Sequence, residues 1–77
     1  MMRSINMKNV KDWTVRTYED LCDRLYEDRW TYEGDDATLT GDDRIIFKNM
    51  AIDDAIDRFG LSVTQTEKLA HFMEGLH

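Results

Sequence analysis

The sequence predicts an all-α fold, a small three-helix bundle with an irregular or short β-hairpin connector between the first two helices. The chain has no proline. Apolar residues recur at helical spacing, and Ser or Thr residues followed by Asp, Glu or Gln three positions later precede the apolar runs. At 77 residues with 42% hydrophobic content, the chain has room for one small domain.

The first helix is predicted from residue 18 to about residue 30. Thr17-Tyr-Glu-Asp20 fits a capping box, because the Thr hydroxyl can accept a hydrogen bond from the amide three residues later. Cys22, on the apolar stripe of this helix, is expected to be a small buried hydrophobe rather than a nucleophile. Residues 1–16 are then expected to form a partly ordered basic arm, and residues 17–77 a single helical domain.

The connector after this helix is ambiguous. Trp30-Thr31-Tyr32 and Thr38-Leu39-Thr40 favour β-structure and flank a Gly-Asp turn, so a short hairpin is one interpretation. An isolated two-stranded hairpin is marginally stable, so a loop or ribbon that leans on the helices is the other.

Two further helices follow. Thr40-Gly-Asp-Asp43 repeats the capping pattern and opens a strongly apolar segment, which predicts the central core helix, ending at Gly60. The last helix is predicted over about residues 64–75, with Ser62 or Thr64 as its cap.

Charge is distributed unevenly along the chain. The net charge is −6, yet residues 17–43 hold ten acids against two arginines, a net charge of −8, whereas residues 1–16 carry +3. A protein that wraps nucleic acid through its phosphates needs the opposite sign. The single cysteine cannot form an internal disulfide, and no long apolar run predicts a membrane span. We therefore expect a cytoplasmic protein that contacts neither nucleic acid directly nor membrane.

Metal binding and catalysis find little support in the sequence. The segment from Asp35 onward lacks the ligands of a calcium loop at its third, fifth and sixth positions. Glu74-Gly-Leu-His77 has the spacing of a carboxylate-bridged iron site, but only one copy is present. No nucleophile motif is found either. We expect no cofactor, no metal and no enzymatic activity.

A helix-turn-helix over residues 51–73 is the alternative interpretation. It would turn a set of polar side chains toward the groove of DNA, namely Thr64, Gln65, Thr66, Lys68 and His71, with Gln65, Thr66 and Lys68 contacting the bases. The basic N-terminal arm would contact the phosphates through Arg3, Lys8 and Lys11. Three carboxylates on its first helix, Asp53, Asp54 and Asp57, would oppose this by repelling the phosphate backbone.

An acidic protein-binding surface is the preferred interpretation. Carboxylates at four-residue spacing lie about 6 Å apart along a helix, whereas a duplex strand offers one phosphate per about 3.4 Å, so several rows must combine to imitate nucleic acid. The predicted carboxylates are Glu19, Asp23, Glu27, Asp35, Asp36, Asp53, Asp54 and Asp57. Trp30 and Tyr32 are the predicted aromatic anchors.

In size, charge and lack of a catalytic motif, the chain resembles the small acidic inhibitors that phages and mobile elements use against host nucleic-acid enzymes. The resemblance is one of general character and aligns no residues. It implies an anti-defence inhibitor whose partner is a protein with a basic nucleic-acid-binding surface, and whose acids converge on one face. A second copy of the chain is a further candidate partner, because a domain this small has apolar surface to cover.

Overall fold

Three α-helices form the protein. The computed structural model describes residues 6–36 and 38–76, and for Asp36 it describes the backbone alone. Helix α1 spans Met7–Glu33, a 3-10 turn follows at Gly34–Asp36, α2 spans Gly41–Phe59 and α3 spans Val63–Glu74. Each helix contacts the other two, so the predicted three-helix bundle is confirmed.

The first helix begins eleven residues earlier than the sequence predicts. Asn6 caps it by accepting a hydrogen bond from the backbone N–H of Lys8. Thr17, the predicted cap, lies inside the helix, where its hydroxyl donates to the carbonyl of Trp13 at 3.0 Å. Residues 7–16 therefore belong to α1 rather than to a separate arm, and Arg3 lies outside the described residues.

The β-hairpin prediction for the connector is wrong. The β-favouring residues 30–32 continue α1, which ends at Gly34 with a φ of 63°. Among residues 6–36 and 38–76, none belongs to a β-strand. The helix continues because each added residue gains a backbone hydrogen bond without a new nucleation step. A short two-stranded hairpin would need other elements to pack against.

The ends of α2 and α3 follow the predicted local chemistry. Thr40 accepts from the backbone N–H of Asp43 while the Asp43 carboxylate accepts from that of Thr40, which completes a capping box. Gly60 ends α2 in the left-handed conformation. Ser62 and Gln65 form the second capping box, so Ser62 rather than Thr64 begins α3.

The core lies where all three helices meet. Its buried side chains are Val10, Thr14, Tyr18 and Cys22 of α1, Ala51 and Ala55 of α2, and Leu69 and Met73 of α3. Buried Thr14 is satisfied by donating to the carbonyl of Val10 at 2.7 Å. Cys22 is a buried free thiol, as predicted.

The helices pack with alternating direction. Arg29 pairs with Asp43 and Trp13 packs edge-on against Phe59 at 5.7 Å between ring centroids, so α1 and α2 are antiparallel. α3 returns along α2 and ends where Lys48 Nζ donates to the carbonyl of Leu76 at 2.7 Å. Beyond Cys22 no residue of α1 is buried, and the molecule measures 52 × 19 × 16 Å.

The first half of α2 is less enclosed than the sequence predicts. Ile45, Ile46 and Met50 are each about half exposed, at 58%, 54% and 48%. The prediction of a central core helix is wrong for this half of α2, since α3 is only 12 residues long and covers one side of α2. No helix in the described part of the chain is both long and apolar enough to cross a bilayer.

Candidate protein-binding surface

An acidic face occupies the outer side of α1. Glu19, Asp20, Asp23 and Glu27 are all exposed, and at 100° per residue they fall within an arc of about 100°. We call these four residues the acidic face. They extend over about 12 Å of helix axis, so one carboxylate occurs about every 4 Å. That spacing is near the roughly 3.4 Å between phosphates of one duplex strand.

Aromatic side chains adjoin the acidic face. Tyr26 and Trp30 lie three and seven residues after Asp23, on the same side of α1, and are 44% and 56% exposed. Tyr32, although 89% exposed, points to the opposite side of the helix from Trp30. The predicted exposure of both anchors is present, but only Trp30 joins the acidic face.

A recess lies beside the acidic face. Glu19 and Asp23 line it together with Tyr18, Leu39 and Arg44. Arg44 donates a hydrogen bond to the Tyr18 hydroxyl at 3.3 Å, which raises the pKa of the Arg44 guanidinium. Arg44 is therefore a fixed positive charge at the edge of an otherwise negative surface.

The connector adds further acids at this end of the molecule. Asp35 is exposed in the 3-10 turn after α1. Asp36 occupies the same turn, with its side chain outside what the structure describes. Arg29 donates to the carbonyl of Thr38 at 2.8 Å, which holds the end of the connector against α1.

The acids of α2 lie elsewhere. Asp53 and Asp54 line a groove with Thr17 and Leu21 of α1, and Thr17 is about 200° around the helix from Glu19. Asp57 is exposed one turn further along α2, away from the connector. The structure therefore separates this group from the acidic face, and the expected single continuous face of carboxylates is not formed.

Charge is nevertheless concentrated at one end of the molecule. Residues 19–44, which comprise the second half of α1, the connector and the first turn of α2, contain ten acids and three arginines. We call this segment the acidic end. Its net charge is −7, against +1 for the rest of the chain. The asymmetry runs along the 52 Å axis of the molecule.

Little within the protein neutralises the acidic end. Among the residues that the structure describes, one ion pair is present, between Arg29 and Asp43. The last turn of α1 contains no basic residue, although the carboxyl end of a helix carries partial negative charge. Residues 6–36 and 38–76 hold no cluster of three or more side chains that could bind a metal ion.

The structure exposes only some of the side chains that the helix-turn-helix hypothesis turns toward DNA. Thr64, Lys68 and His71 are exposed on α3 and line a broad shallow depression with Lys11 of α1. Gln65 and Thr66 are half-buried, and the Gln65 side chain accepts from the backbone N–H of Ser62 at 2.8 Å. Glu67 also lines the depression, so its charge is mixed.

Two residues of this candidate surface, Asp20 and Tyr26, are not among the protein-binding residues that the sequence analysis predicts. Asp20 fits the sequence pattern as the partner of a Thr17 cap, but inside α1 it lies on the polar side of the helix with Glu19 and Asp23. Tyr26 precedes Trp30 by four residues, which is the spacing of neighbours on one helix face. That spacing is the signal that could have identified it.

Comparison of the chain with protein-family models, with curated proteins and with solved structures finds no match in any of the three.

Proposed function

We propose that the protein is a small acidic inhibitor that binds another protein, inserting its acidic end into a basic groove that otherwise accepts nucleic acid. The observation that carries this proposal is the net charge of −7 on residues 19–44, set against +1 on the rest of the chain. A field of one sign at one end of a molecule steers association with an oppositely charged surface.

The acidic face supplies the contact. Its carboxylates project from a rigid helix at a spacing near that of phosphates, and a cationic groove that accepts a duplex can accept such a row. The helix inserts as a unit, which is a common mode of recognition in which residues at i, i+3, i+4 and i+7 make the contacts. Asp23, Tyr26, Glu27 and Trp30 have this spacing.

The aromatic side chains supply affinity. Charged pairs at the rim of an interface mainly affect association rate, whereas buried Trp and Tyr side chains carry much of the binding energy. Trp30 is more than half exposed in the free protein, so its ring is available for contact with a partner. We assign it as the anchor beside the acidic face.

The electrostatics of α1 support the same conclusion. Acids in the second half of this helix repel one another and stand near the negative end of its dipole. A cationic partner would relieve this repulsion on binding. Neutralisation by a groove of Lys and Arg would therefore contribute more here than on a surface already balanced by local ion pairs.

Salt-dependent capture tests the proposal. The immobilised protein is exposed to lysate at low salt and at about 0.5 M salt, where screening reduces the reach of charge to a few ångströms. We expect a nucleic-acid-binding protein to be retained at low salt and to be displaced by a duplex oligonucleotide. A partner retained equally at both salt concentrations, or one that the oligonucleotide does not displace, would contradict the proposal.

Matched charge variants locate the surface. Asp23→Asn with Glu27→Gln removes two charges from the acidic face, and Asp53→Asn with Asp57→Asn removes two from α2. We expect the first pair to weaken binding at least tenfold and the second pair to change it by less than about threefold. Equal losses would assign the effect to net charge alone.

DNA binding by α2 and α3 is the second candidate, favoured by Lys11 and Lys68 lining one exposed depression. It predicts that the purified protein retards a duplex oligonucleotide and that Lys68→Ala abolishes this. Displacement of a captured protein by DNA, without retardation of the DNA, supports the inhibitor instead.

A further inference from the structure

A partly apolar groove runs between α1 and α2, on the opposite side of α1 from Glu19. Thr17 and Leu21 of α1 face Met50, Asp53 and Asp54 of α2 across it, and its volume is about 430 Å³. Ile46 lies one turn before Met50 on the same side of α2. We call this surface, defined by Thr17, Leu21, Ile46 and Met50, the α1–α2 groove.

The α1–α2 groove exposes apolar side chains that a partner can bury. Ile46 and Met50 are 54% and 48% exposed, whereas the core of the protein is small and includes two alanines. Domains of this size bury a smaller fraction of their surface than larger ones do, and many obtain additional stability by oligomerisation. A second copy of this chain is therefore a natural occupant for the groove.

We propose that the protein forms an antiparallel, two-fold symmetric dimer through the α1–α2 groove, with the two-fold axis close to Leu21 and Met50. Charge selects the direction of packing. A parallel pair would bring two ends of charge −7 together, whereas an antiparallel pair places them at opposite extremities. Each acidic end then lies beside the half of its partner that contains Lys8, Lys11 and Arg16.

The same axis gives specific complementary pairs. Thr17, Leu21, Arg24 and Asp28 follow one stripe of α1, at spacings of four, three and four residues. Asp54 lies beside Thr17. Arg58 stacks 4.7 Å from the ring centroid of Trp13, which lies one turn before Thr17 on α1. Antiparallel packing about Leu21 places Arg24 opposite the partner's Asp54 and Asp28 opposite the partner's Arg58.

The dimensions of the molecule suit such an interface. Its long side measures 52 by 19 Å, which is large enough for the roughly 800 Å² per partner that a stable interface buries. Ile46 and Met50 lie near the middle of that side, with charged residues on either flank. An apolar centre with a polar rim is the usual anatomy of protein interfaces.

Association in solution tests the proposal. Sedimentation velocity and light scattering on the purified chain, from about 10 µM to about 1 mM, cover the range of moderate to weak Kd values. We expect a dimer. Met50→Glu should raise the dimer Kd at least tenfold, because it places a charge at the apolar centre. The matched control Val63→Glu alters a side chain that is 77% exposed at the start of α3, outside the groove, and should leave the Kd unchanged.

Charge exchange tests the register. Arg24→Asp and Asp54→Arg should each weaken the dimer, and the double variant should restore its Kd to within about threefold of wild type. Circular dichroism checks that each variant remains folded. A chain that stays monomeric at about 1 mM overturns the proposal, as does a dimer insensitive to Met50→Glu. A double variant that dimerises no better than either single one overturns the antiparallel register. Met50 and Val63 lie outside the acidic end, so the outcome of the first test is independent of the proposed inhibition.

Discussion

Arg29 of α1 donates from both terminal nitrogens of its guanidinium to the two carboxylate oxygens of Asp43 in the first turn of α2, at 2.5 and 3.2 Å. The same carboxylate accepts from the backbone N–H of Thr40 at 3.0 Å. Asp43 therefore joins a long-range contact to a local cap. This junction holds the first turn of α2 against the part of α1 that lies beyond the buried core.

The pKa of Asp43 makes this junction sensitive to acid. The hydrogen bonds from Arg29, and secondarily that from the Thr40 backbone, lower the pKa of Asp43 from 3.8 to about 2. The folded-state pKa lies below the unfolded value, so the stabilisation is complete above about pH 4 and is lost as the pH falls toward 2. We expect Asp43→Asn to lower the melting temperature at pH 7, with the difference from wild type shrinking by pH 2.

Thermal unfolding of both proteins at pH 7, 4, 3 and 2 checks this prediction. Asp42→Asn is the matched control, because Asp42 is exposed in the same turn but does not contact Arg29. A constant difference between Asp43→Asn and wild type over the whole range would contradict the assigned linkage.

Two threonines distinguish the observed helix boundaries from those expected. Thr40→Ala should lower stability by about 1 kcal/mol, since it removes the N-cap of α2, which corresponds to about 4–8 °C in melting temperature. Thr17→Ala should change stability by less than about 0.5 kcal/mol, because Thr17 lies inside α1, where Ala is the better helix former. Chemical denaturation measures both, and equal losses would restore Thr17 as a cap.

Two glycines provide a second matched pair. Gly60 has a φ of 62°, so Gly60→Ala should destabilise the protein by about 1–2 kcal/mol through left-handed strain. Gly41 begins α2 with an ordinary φ, and a β-carbon added to it would meet no atom within 4 Å. Gly41→Ala should therefore be neutral or should stabilise the protein by up to about 1 kcal/mol. A reversed order in the denaturation midpoints would contradict the backbone conformations.

Leu69 tests the core. It is fully buried where α3 meets the other helices, whereas Val63 at the start of the same helix is 77% exposed. Leu69→Ala should cost about 2–5 kcal/mol, which is enough to unfold a domain of marginal stability, while Val63→Ala should stay within about 0.5 kcal/mol. Circular dichroism at increasing temperature compares the two variants, and comparable melting temperatures would place Leu69 outside the core.

The acidic end should lower the stability of the free protein. Glu33 lies in the last turn of α1, which has no basic residue, so Glu33→Lys should stabilise the fold by a few tenths of a kcal/mol at low ionic strength. Glu67→Lys, in the middle of α3, is the control and should have a smaller effect. Melting temperatures at low and at about 0.5 M salt measure this. A gain that persists undiminished at high salt would exclude electrostatic repulsion as its cause.

Local chemistry explains which parts of the fold the sequence predicted. The Thr40–Asp43 and Ser62–Gln65 boxes and the Gly60 cap each involve residues within a few positions of one another, so their residue types suffice to identify them. The start of α1 was missed because the same reasoning applied to Thr17, although Val10 and Thr14 upstream continue the buried stripe. A capping pattern is a weaker signal than a stripe that extends beyond it.

By itself, the sequence determined the helical class, the boundaries of α2 and the excess of acid over residues 17–43, and it left two candidates, Ser62 and Thr64, for the cap of α3. Only the tertiary structure decided which acids share a face, because Glu19 and Asp53 belong to helices whose relative rotation depends on packing in the core. It also decided that Ile46 and Met50 remain exposed, since this depends on how far α3 reaches along α2. Neighbours in sequence fix caps and turns, whereas exposure depends on contacts between residues that are distant in the chain.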